Sequence, residues 1–330
     1  MSRIKDVAKV AGVSTATVSR VLANHSRVKE QTRRKVMEAV EQLNYRPNLV
    51  ARSLRVQKSA KIGLVVSDIR NPFFTAISRA VEDAAYEGGY SVLMCNTDEN
   101  PEKEELYLNL LHDENVAGII FSPTQKFSSK LASLDISIPI VIIDRTVESK
   151  DVDMVLLDNF AAAHELTLHL INNGYRKLAG LFGNASTTGQ ERSRGFHKAL
   201  KDNVLSPVAV HFIAPRIQQG HETTMALLKQ KEKPDAIFTS NSLLTVGAFR
   251  AIRDGNLKIP DDVALVGFDE TTWGALVDPP VTVIAQPTEE IGRTATELLF
   301  QRIVDPGRLP KTVVLKGQLL ENRSSSARGT

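Results

Sequence analysis

The chain has 330 residues, of which 42% are hydrophobic and 24% are charged, and its formal net charge is +3. These values are typical of a globular protein larger than one small domain, and no apolar run reaches the roughly 20 residues of a membrane span, so no membrane partner is expected. Cys95 is the only cysteine, which rules out an intramolecular disulfide and fits a reducing compartment. Because the N-terminus lacks the apolar core of a signal peptide, we expect a cytoplasmic protein.

The positive charge is concentrated at the start of the chain. Of the 41 Lys and Arg and the 38 Asp and Glu, residues 1–60 hold 13 and 4, and the other 270 residues hold 28 and 34. A basic segment attached to an acidic body favours a polyanionic partner for that segment, and a solvated surface is the alternative.

Three short helices are predicted in this basic segment. Residues 4–11, IKDVAKVA, place apolar side chains on one helical face. Gly12 ends this helix, and Ser14 is suited to cap a second helix that begins at Thr15. A third helix is predicted over about residues 29–44. Two short helices joined by a glycine turn and supported by a third form a helix-turn-helix pattern.

The outer face of the second helix is slim, because it carries Thr15, Ala16, Ser19 and Arg20. A DNA major groove about 12 Å wide admits a helix whose outer side chains are small. Threonine hydroxyls can bond base edges or phosphates, and Arg20 can contact guanine bidentately. The pattern predicts a DNA-reading helix, although ordinary helical hairpins share its shape.

The stretches IKDVAKVAGVSTATVSRVLAN and RRKVMEAVEQLNYRPNLVARSLR resemble the LacI/GalR family of bacterial transcriptional repressors. The resemblance implies DNA contacts for six residues: base reading by Thr15, Ala16 and Arg20, and phosphate contacts or capping by Ser14, Thr17 and Ser19.

The next stretch, residues 45–61, contains Pro47, which ends the third helix. The short segment LVARSLR is marginal as an isolated helix. In the family it is the hinge helix, ordered when two copies meet on DNA. The resemblance makes Leu54 a minor-groove wedge beside Ala51 and Arg55, with a plain linker leucine as the alternative.

From Lys61 onwards, apolar runs alternate with helical stretches, which is typical of parallel α/β sheets covered on both faces. We predict an N-terminal all-α helix-turn-helix DNA-binding domain followed by an α/β core similar to periplasmic sugar-binding proteins, built from two doubly wound parallel-sheet subdomains. The predicted strands cover residues 61–69, 90–97, 116–123, 138–145, 177–184, 209–215, 235–241, 263–269 and 282–287.

The predicted domain boundaries combine these patterns with what the family resemblance implies. The helix-turn-helix domain covers residues 1–46, the hinge helix and linker cover 47–60, and the effector-binding and dimerisation core covers 61–330. The core divides into one subdomain of about 61–159 plus 288–318 and another of 160–287 plus the C-terminal residues.

A small-molecule site is expected in the cleft between the subdomains, beyond the carboxyl ends of the strands. Aspartates at such positions more commonly cap helices, but as a set they match the family's effector cleft. The predicted effector-binding residues are Phe73, Phe74, Arg145, Thr188, Arg192, Asn241, Ser242, Asp269 and Trp273. Trp273 stacks on a sugar or fills the core, and both uses remain open.

One departure from the family bears on the ligand. Many members carry an Asn-Asp pair where this chain has Asn241 and Ser242. Without that carboxylate, Arg145 and Arg192 face less opposing charge, and arginine binds carboxylates bidentately. We therefore expect a sugar effector, more specifically an acidic sugar such as an aldonate or ketoaldonate.

No enzyme activity, cofactor or metal is expected. His164 and His169 are five residues apart, about 140° around a helix, whereas the metalloprotease motif needs a spacing of four. No phosphate-binding loop, nucleophile elbow or dinucleotide fingerprint appears. A transport-type sugar-binding protein would lack residues 1–60, and a sugar kinase or dehydrogenase would need one of the absent motifs.

We therefore expect a nucleoid-associated bacterial repressor of a carbohydrate catabolic operon that binds a palindromic double-stranded DNA operator as a homodimer. The resemblance places dimer contacts just after the first strand and in the 90–120 region. The C-terminal residues ENRSSSARGT contain no heptad repeat, which favours a dimer over a tetramer. A sugar or sugar acid is expected to release the DNA, and a corepressor is the alternative.

Overall fold

The computed structural model describes residues 3–22, 28–43, 45, 59–124, 138–148, 151–184 and 186–327. They belong to two compact units, residues 1–59 and residues 60–330. The predicted hinge residues Ala51, Leu54 and Arg55 lie outside the described residues, as does the predicted boundary at residues 46 and 47, so these remain predictions.

The first unit contains the three predicted helices: α1 (Ile4–Ala11), α2 (Thr15–Leu22) and α3 (Glu30–Gln42). Gly12 adopts a left-handed conformation, with φ of 64°, and ends α1. The Thr17 amide donates a hydrogen bond of 3.1 Å to the Ser14 hydroxyl, which confirms Ser14 as the residue that caps α2. The three helices pack around one hydrophobic cluster. Each contributes a fully buried valine to it, namely Val7, Val18 and Val36.

The second unit contains two six-stranded sheets with matching strand orders, β11-β5-β4-β3-β1-β2 in sheet A and β12-β10-β9-β8-β6-β7 in sheet B. Every neighbouring pair is parallel except β10 and β12. Sheet A comprises β1 (Lys61–Val66), β2 (Ser91–Asn96), β3 (Ile119–Phe121), β4 (Ile140–Ile143), β5 (Asp153–Leu157) and β11 (Thr312–Leu315). Sheet B comprises β6 (Leu178–Gly183), β7 (Ala209–Ile213), β8 (Ala236–Thr239), β9 (Ala264–Phe268), β10 (Thr282–Ala285) and β12 (Gln318–Leu320).

Helices cover both sheets and complete two lobes. Lobe A is sheet A with α4 (Pro72–Glu87), α5 (Pro101–Asp113) and α11 (Thr288–Val304). Lobe B is sheet B with α6 (Asn159–Asn172), α7 (Thr187–Asp202), α8 (Ile217–Leu228), α9 (Ser242–Asp254) and α10 (Thr272–Leu276). The predicted fold class, helices followed by two doubly wound parallel sheets, is confirmed.

The chain passes between the lobes three times, after β5, after β10 and after β11. The third crossing is only two residues long and contains Gly317, where a Cβ would lie 2.5 Å from the side chain of Ile284. Three short crossings tie the carboxyl ends of both sheets to a common space.

Sequence analysis missed three strands, β5, β11 and β12. Strand β5 begins with Asp153, a fully buried carboxylate at a position where an apolar residue is the usual signal. Strands β11 and β12 lie at sheet edges and are only partly buried, so they lack a continuous apolar run.

Asp153 joins the parts of lobe A that lie far apart in sequence. Its Oδ2 accepts hydrogen bonds from Arg302 Nε at 3.0 Å and Arg308 Nη2 at 2.6 Å, and its Oδ1 accepts the Lys311 amide at 2.8 Å. Both guanidinium groups are largely buried. The carboxylate therefore fixes the end of α11 and the start of β11 onto β5.

Replacing Asp153 with Ala is expected to lower the free energy of unfolding by about 3–5 kcal/mol, because two buried guanidinium groups lose their counter-charge. Chemical denaturation of the full chain measures this change. The matched control is Asp83→Ala, which removes an exposed pair with Arg79 and should leave the midpoint unchanged. Equal effects of the two substitutions would contradict the assigned role of Asp153.

Candidate functional site

The carboxyl ends of the two sheets meet at a cavity of about 530 Å³, counting the solvent at its mouth. Seven of the nine predicted effector-binding residues line it: Phe73, Phe74 and Arg145 from lobe A, and Thr188, Arg192, Asn241 and Asp269 from lobe B.

The other two predicted residues lie elsewhere. Ser242 lies beside the lining residue Asn241, but its hydroxyl is directed to Asn71 of the other lobe at 3.1 Å. Trp273 is partly buried in a hydrophobic cluster of lobe B, and its ring lies 6.2 Å from that of Phe249. Of the two uses left open for Trp273, this position corresponds to filling the core.

Several polar lining residues lie outside the predicted set, among them Asn71, Glu99 and Gln286. Asn71 lies within a polar run after the first predicted strand, Glu99 lies two residues beyond the second, and Gln286 falls inside the last one. All three residues therefore lie at or near the ends of predicted strands. A position at a strand end does not reveal which side chains of a polar run point into the cavity.

Three helices begin at the cavity wall, and each has a side-chain cap. Asn71 accepts the Phe73 amide at the start of α4, Ser186 accepts the Gly189 amide at the start of α7, and Asn241 accepts the Leu244 amide at the start of α9. Gly189 allows α7 to approach β6, since a Cβ there would lie 2.1 Å from the carbonyl oxygen of Gly183. The partial positive charges of these helix N-termini stabilise nearby carboxylates, and four carboxylates lie in the cavity wall.

Arg145 binds protein groups on nearly every side. Its Nη1 and Nη2 both donate to the Glu99 carboxylate, its Nε donates to Asp144 at 3.2 Å, and its Nη1 also donates to the carbonyl oxygen of Pro123 at 2.8 Å. Burial lowers the pKa of Arg145, but the two carboxylates outweigh burial and raise it above its ordinary value. Arg145 therefore ties together the ends of β2, β3 and β4.

Arg192 is as deeply buried as Arg145 but has fewer hydrogen-bond partners. Its Nε donates to Asn159 Oδ1 at 2.8 Å, its Nη1 donates to the Ser240 carbonyl oxygen, and its guanidinium lies 4.0 Å from the centroid of the Phe268 ring. Burial lowers the pKa of Arg192. Its Nη2 makes no hydrogen bond within the described part of the chain, so this atom is the cationic donor left for a ligand.

The cavity wall carries four carboxylates, from Asp68, Glu99, Asp144 and Asp269, against two guanidinium groups. Arg145 and Arg192 were predicted to face less opposing charge than in family members with an Asn-Asp pair, and these four carboxylates lie on the same wall as the two guanidinium groups. Burial raises the pKa of Asp144, with Arg145 and Arg192 acting in the opposite direction. The cavity offers many hydroxyl-accepting oxygens and no excess of positive charge.

Three of these acidic residues have backbones in the left-handed region, with φ of 59° at Glu99, 68° at Asp144 and 75° at Asp269. Non-glycine residues rarely adopt this conformation because it costs conformational free energy. Residues that do adopt it cluster at functional sites. Asp269 is held further by the Ser242 amide at 3.0 Å and by Gln286 Nε2 at 2.6 Å. The wall is thus built to hold its carboxylates in fixed positions.

Glu104 lies behind the wall, on α5, and its side chain is fully buried. It accepts the Thr124 amide at 2.6 Å and the Thr124 hydroxyl at 3.0 Å, next to the end of β3. Burial raises the pKa of Glu104 to about 7, although the Thr124 hydrogen bonds act to lower it.

The predicted DNA-reading face is exposed in the first unit. Thr15, Ala16 and Arg20 are solvent-exposed on α2, and Ser19 is half-buried. The hydroxyl groups of Ser14 and Thr17 lie 2.9 Å apart and engage each other at the start of the helix. The DNA-binding roles of the six residues stay predictions.

His164 and His169 have separate partners: His164 lies 3.6 Å from Asp202, and His169 Nε2 lies 2.8 Å from Ser325 Oγ. No group of three or more His, Cys, Asp or Glu residues able to hold a metal occurs in the described part of the chain. None of its described helices is long and apolar enough to cross a membrane.

Comparisons with known proteins agree over nearly the whole chain. Residues 3–48 match the family model "Bacterial regulatory proteins, lacI family", and residues 59–321 match "Periplasmic binding proteins and sugar binding domain of LacI family". The repressor PurR of Histophilus somni is 34% identical over 98% of this chain and 99% of its own length. The ribose operon repressor of Halalkalibacterium halodurans is 38% identical over 92% of this chain and 91% of its own length.

Among solved structures, the lac repressor dimer bound to operator and the anti-inducer ONPF superposes with a TM-score of 0.90. The two chains are 27% identical, and the match covers 99% of each.

The free energy of unfolding should fall as pH rises from about 5 to about 7, because the unfolded chain releases the Glu104 proton near its ordinary pKa of 4.5 while the folded chain keeps it to about 7. Protonation of Glu104 contributes on the order of 3 kcal/mol to the free energy of unfolding at the acidic end of this range. Glu104→Gln keeps the Thr124 contacts without a titrating group, so its urea midpoint should vary less over this window. Identical pH profiles for the two proteins would show that Glu104 is not the group responsible.

Proposed function

The chain belongs to the LacI family of bacterial regulatory proteins, and we propose that it represses a carbohydrate catabolic operon. It is a DNA-binding transcriptional regulator and not an enzyme. In this proposal, a homodimer binds a palindromic operator, and a neutral sugar in the cavity between the lobes releases it.

The cavity itself is the observation that carries the sugar proposal. Fixed carboxylates accept hydrogen bonds from hydroxyl groups, Asn71 and Asn241 offer amides, and Phe73 and Phe74 supply an apolar surface. The name of the ribose operon repressor, which matches most of this chain, also supports a sugar-responsive operon. Because Arg145 is bonded to Glu99 and Asp144, and the charges of Asp269 and Asp144 act on Arg192, the proposed ligand is neutral.

A dimer is proposed because one three-helix unit buries too little surface for tight, specific DNA binding, whereas two units related by symmetry read a palindrome. Lobe A carries exposed apolar side chains at its β2 edge and on the adjoining helix, namely Met94, Leu106 and Leu110. These residues fall in the 90–120 region where dimer contacts are predicted. An apolar surface of this kind is typical of subunit contacts.

The link between ligand and DNA is proposed to be the angle between the lobes. Two side-chain contacts join the lobes. Ser242 Oγ donates a hydrogen bond to Asn71 Oδ1, and Thr146 Oγ1 lies 3.4 Å from Glu191 Oε1. A ligand between the lobes changes these contacts. Rotation of the lobes then alters the spacing of the two predicted hinge helices of the dimer, which is a coupling of typically about 1–3 kcal/mol.

The proposal is tested by finding both partners of the purified full-length protein. Selection from random duplexes should enrich a palindrome, and a thermal-shift screen of neutral sugars, sugar acids and purine bases should identify a neutral sugar. A palindrome that is bound equally tightly with and without every thermal-shift ligand would contradict release. A purine base as the sole ligand would contradict the sugar assignment.

Arg20→Ala is expected to cost about 1–3 kcal/mol at one base pair of the selected palindrome and to relax discrimination there, because a bidentate contact to guanine is lost. Anisotropy titrations with the palindrome and its single-base variants, at one fixed salt concentration, measure this. Arg34→Ala, an exposed arginine on α3, is the control for general charge loss. A uniform weakening on every duplex would make Arg20 a phosphate contact.

Ser242→Ala is expected to weaken binding of the identified sugar by about 2- to 10-fold, since the contact between the lobes loses the hydrogen bond from Ser242 to Asn71. Ser242→Thr keeps the hydroxyl group and should bind as the wild type does. Ser78→Ala is the matched control, because the Ser78 hydroxyl bonds only to the Phe74 carbonyl oxygen of its own helix. Calorimetric titration measures all four proteins, and equal affinities throughout would remove Ser242 from the mechanism.

A further inference from the structure

The cavity wall contains a complete arginine–carboxylate pair made by the protein itself. Arg145 Nη1 donates to Glu99 Oε2 at 2.8 Å, and Nη2 donates to Glu99 Oε1. Two parallel hydrogen bonds of this kind are the geometry by which arginine recognises the carboxylate of a ligand. Glu99 therefore holds the position that an acidic ligand would take on Arg145.

The chain fixes Glu99 in this position through the turn that follows β2. Asp98 and Glu99 have consecutive positive φ angles of 53° and 59°. The Asp98 carboxylate is held by Lys103 at 2.6 Å, Asn96 at 3.0 Å and Arg70 at 3.4 Å. A turn that is strained and bonded on three sides has little freedom to swing Glu99 away.

The rest of Arg145 leaves no second place for an anion. Its Nε binds Asp144, its Nη1 also binds the Pro123 carbonyl oxygen, and its side chain is almost fully buried. An acidic ligand would have to displace Glu99 and leave that carboxylate among Asp68, Asp144 and Asp269, where like charges oppose it.

We propose that Glu99 is a specificity-determining residue, a built-in carboxylate that fills the carboxylate position on Arg145 and lowers the affinity of the cavity for acidic ligands relative to neutral ones. The ligand part of this inference rests on the proposed function. The occupation of Arg145 by Glu99 does not, and a small carboxylate tests it without knowledge of the natural effector.

The experiment removes Glu99 and offers acetate in its place. Glu99→Ala of the full-length protein should melt roughly 5–10 °C below the wild type in chloride, because a buried guanidinium loses its main partner. About 100 mM sodium acetate, compared with the same concentration of sodium chloride, should raise the melting temperature of this variant by roughly 2–4 °C. The melting temperature of the wild type should not change.

Two control variants make the result specific. Glu99→Gln fills the position without a charge and should gain nothing from acetate, and Glu114→Ala removes an exposed carboxylate paired with Lys61 and should also gain nothing. If Glu99→Ala does not fold in chloride, its refolding yield in acetate against chloride is the measurement. Equal acetate effects on the wild type and on Glu99→Ala, in melting or in refolding, would overturn the proposal.

A paired titration then tests selectivity with galactose and galacturonate as probes. Glu99→Ala should raise the ratio of galacturonate to galactose affinity by at least about 10-fold, the value of one charge-assisted hydrogen bond. An unchanged ratio would overturn the specificity role. Acetate rescue in a protein that never releases DNA would refute the proposed function alone, whereas release by a neutral sugar without acetate rescue would refute this inference alone.

Discussion

The lobe A wall of the cavity depends on one buried guanidinium group. Arg145 joins the turn after β2, the end of β3 and the end of β4 through Glu99, Pro123 and Asp144. A buried charge of this kind is tolerated because its hydrogen-bonding groups are met by protein acceptors. The same contacts set the electrostatics of the cavity, since they commit two carboxylates to one arginine and leave hydroxyl-accepting oxygens around it.

The second constraint is the threefold passage of the chain between the lobes. Short crossings bring the carboxyl ends of two similar sheets to a common cavity, and the side chains that meet there come from both lobes. The Ser242–Asn71 hydrogen bond then joins the starts of α9 and α4 directly. A ligand that breaks or adds contacts between the lobes shifts the equilibrium between different lobe orientations. Such a shift is required for ligand binding to be coupled to DNA binding.

Much of this architecture could be predicted from the sequence because the signals were local. The spacing of apolar residues in α1, the glycine at position 12 and the cap at Ser14 each act within a few residues, and all three are as predicted. The apolar runs of the central strands were equally direct. The edge strands β11 and β12 were missed because half-exposed strands lack such runs, and β5 was missed because its first residue is a buried aspartate whose arginine partners are about 150 residues away.

The site could be predicted only in part for a related reason. The predicted strand ends located the cavity, and seven of the nine predicted residues line it. The hydrogen-bond partner of each charged side chain depends on tertiary contacts. Nothing near Arg145 in sequence reveals its bond to Glu99, 46 residues earlier, so this pairing could not enter the prediction of the ligand's charge. Likewise, the sequence could not tell whether Trp273 faces the cavity or the core.

The central claim is that one cavity ligand and one DNA operator are thermodynamically coupled through this chain. The most direct measurement is the affinity of the full-length protein for the sugar with and without its selected palindrome, together with its affinity for the palindrome with and without the sugar, at one salt concentration. The account predicts that each partner weakens the other by the same factor, about 5- to 150-fold. Ligand affinities that are identical in the presence and absence of operator would contradict it.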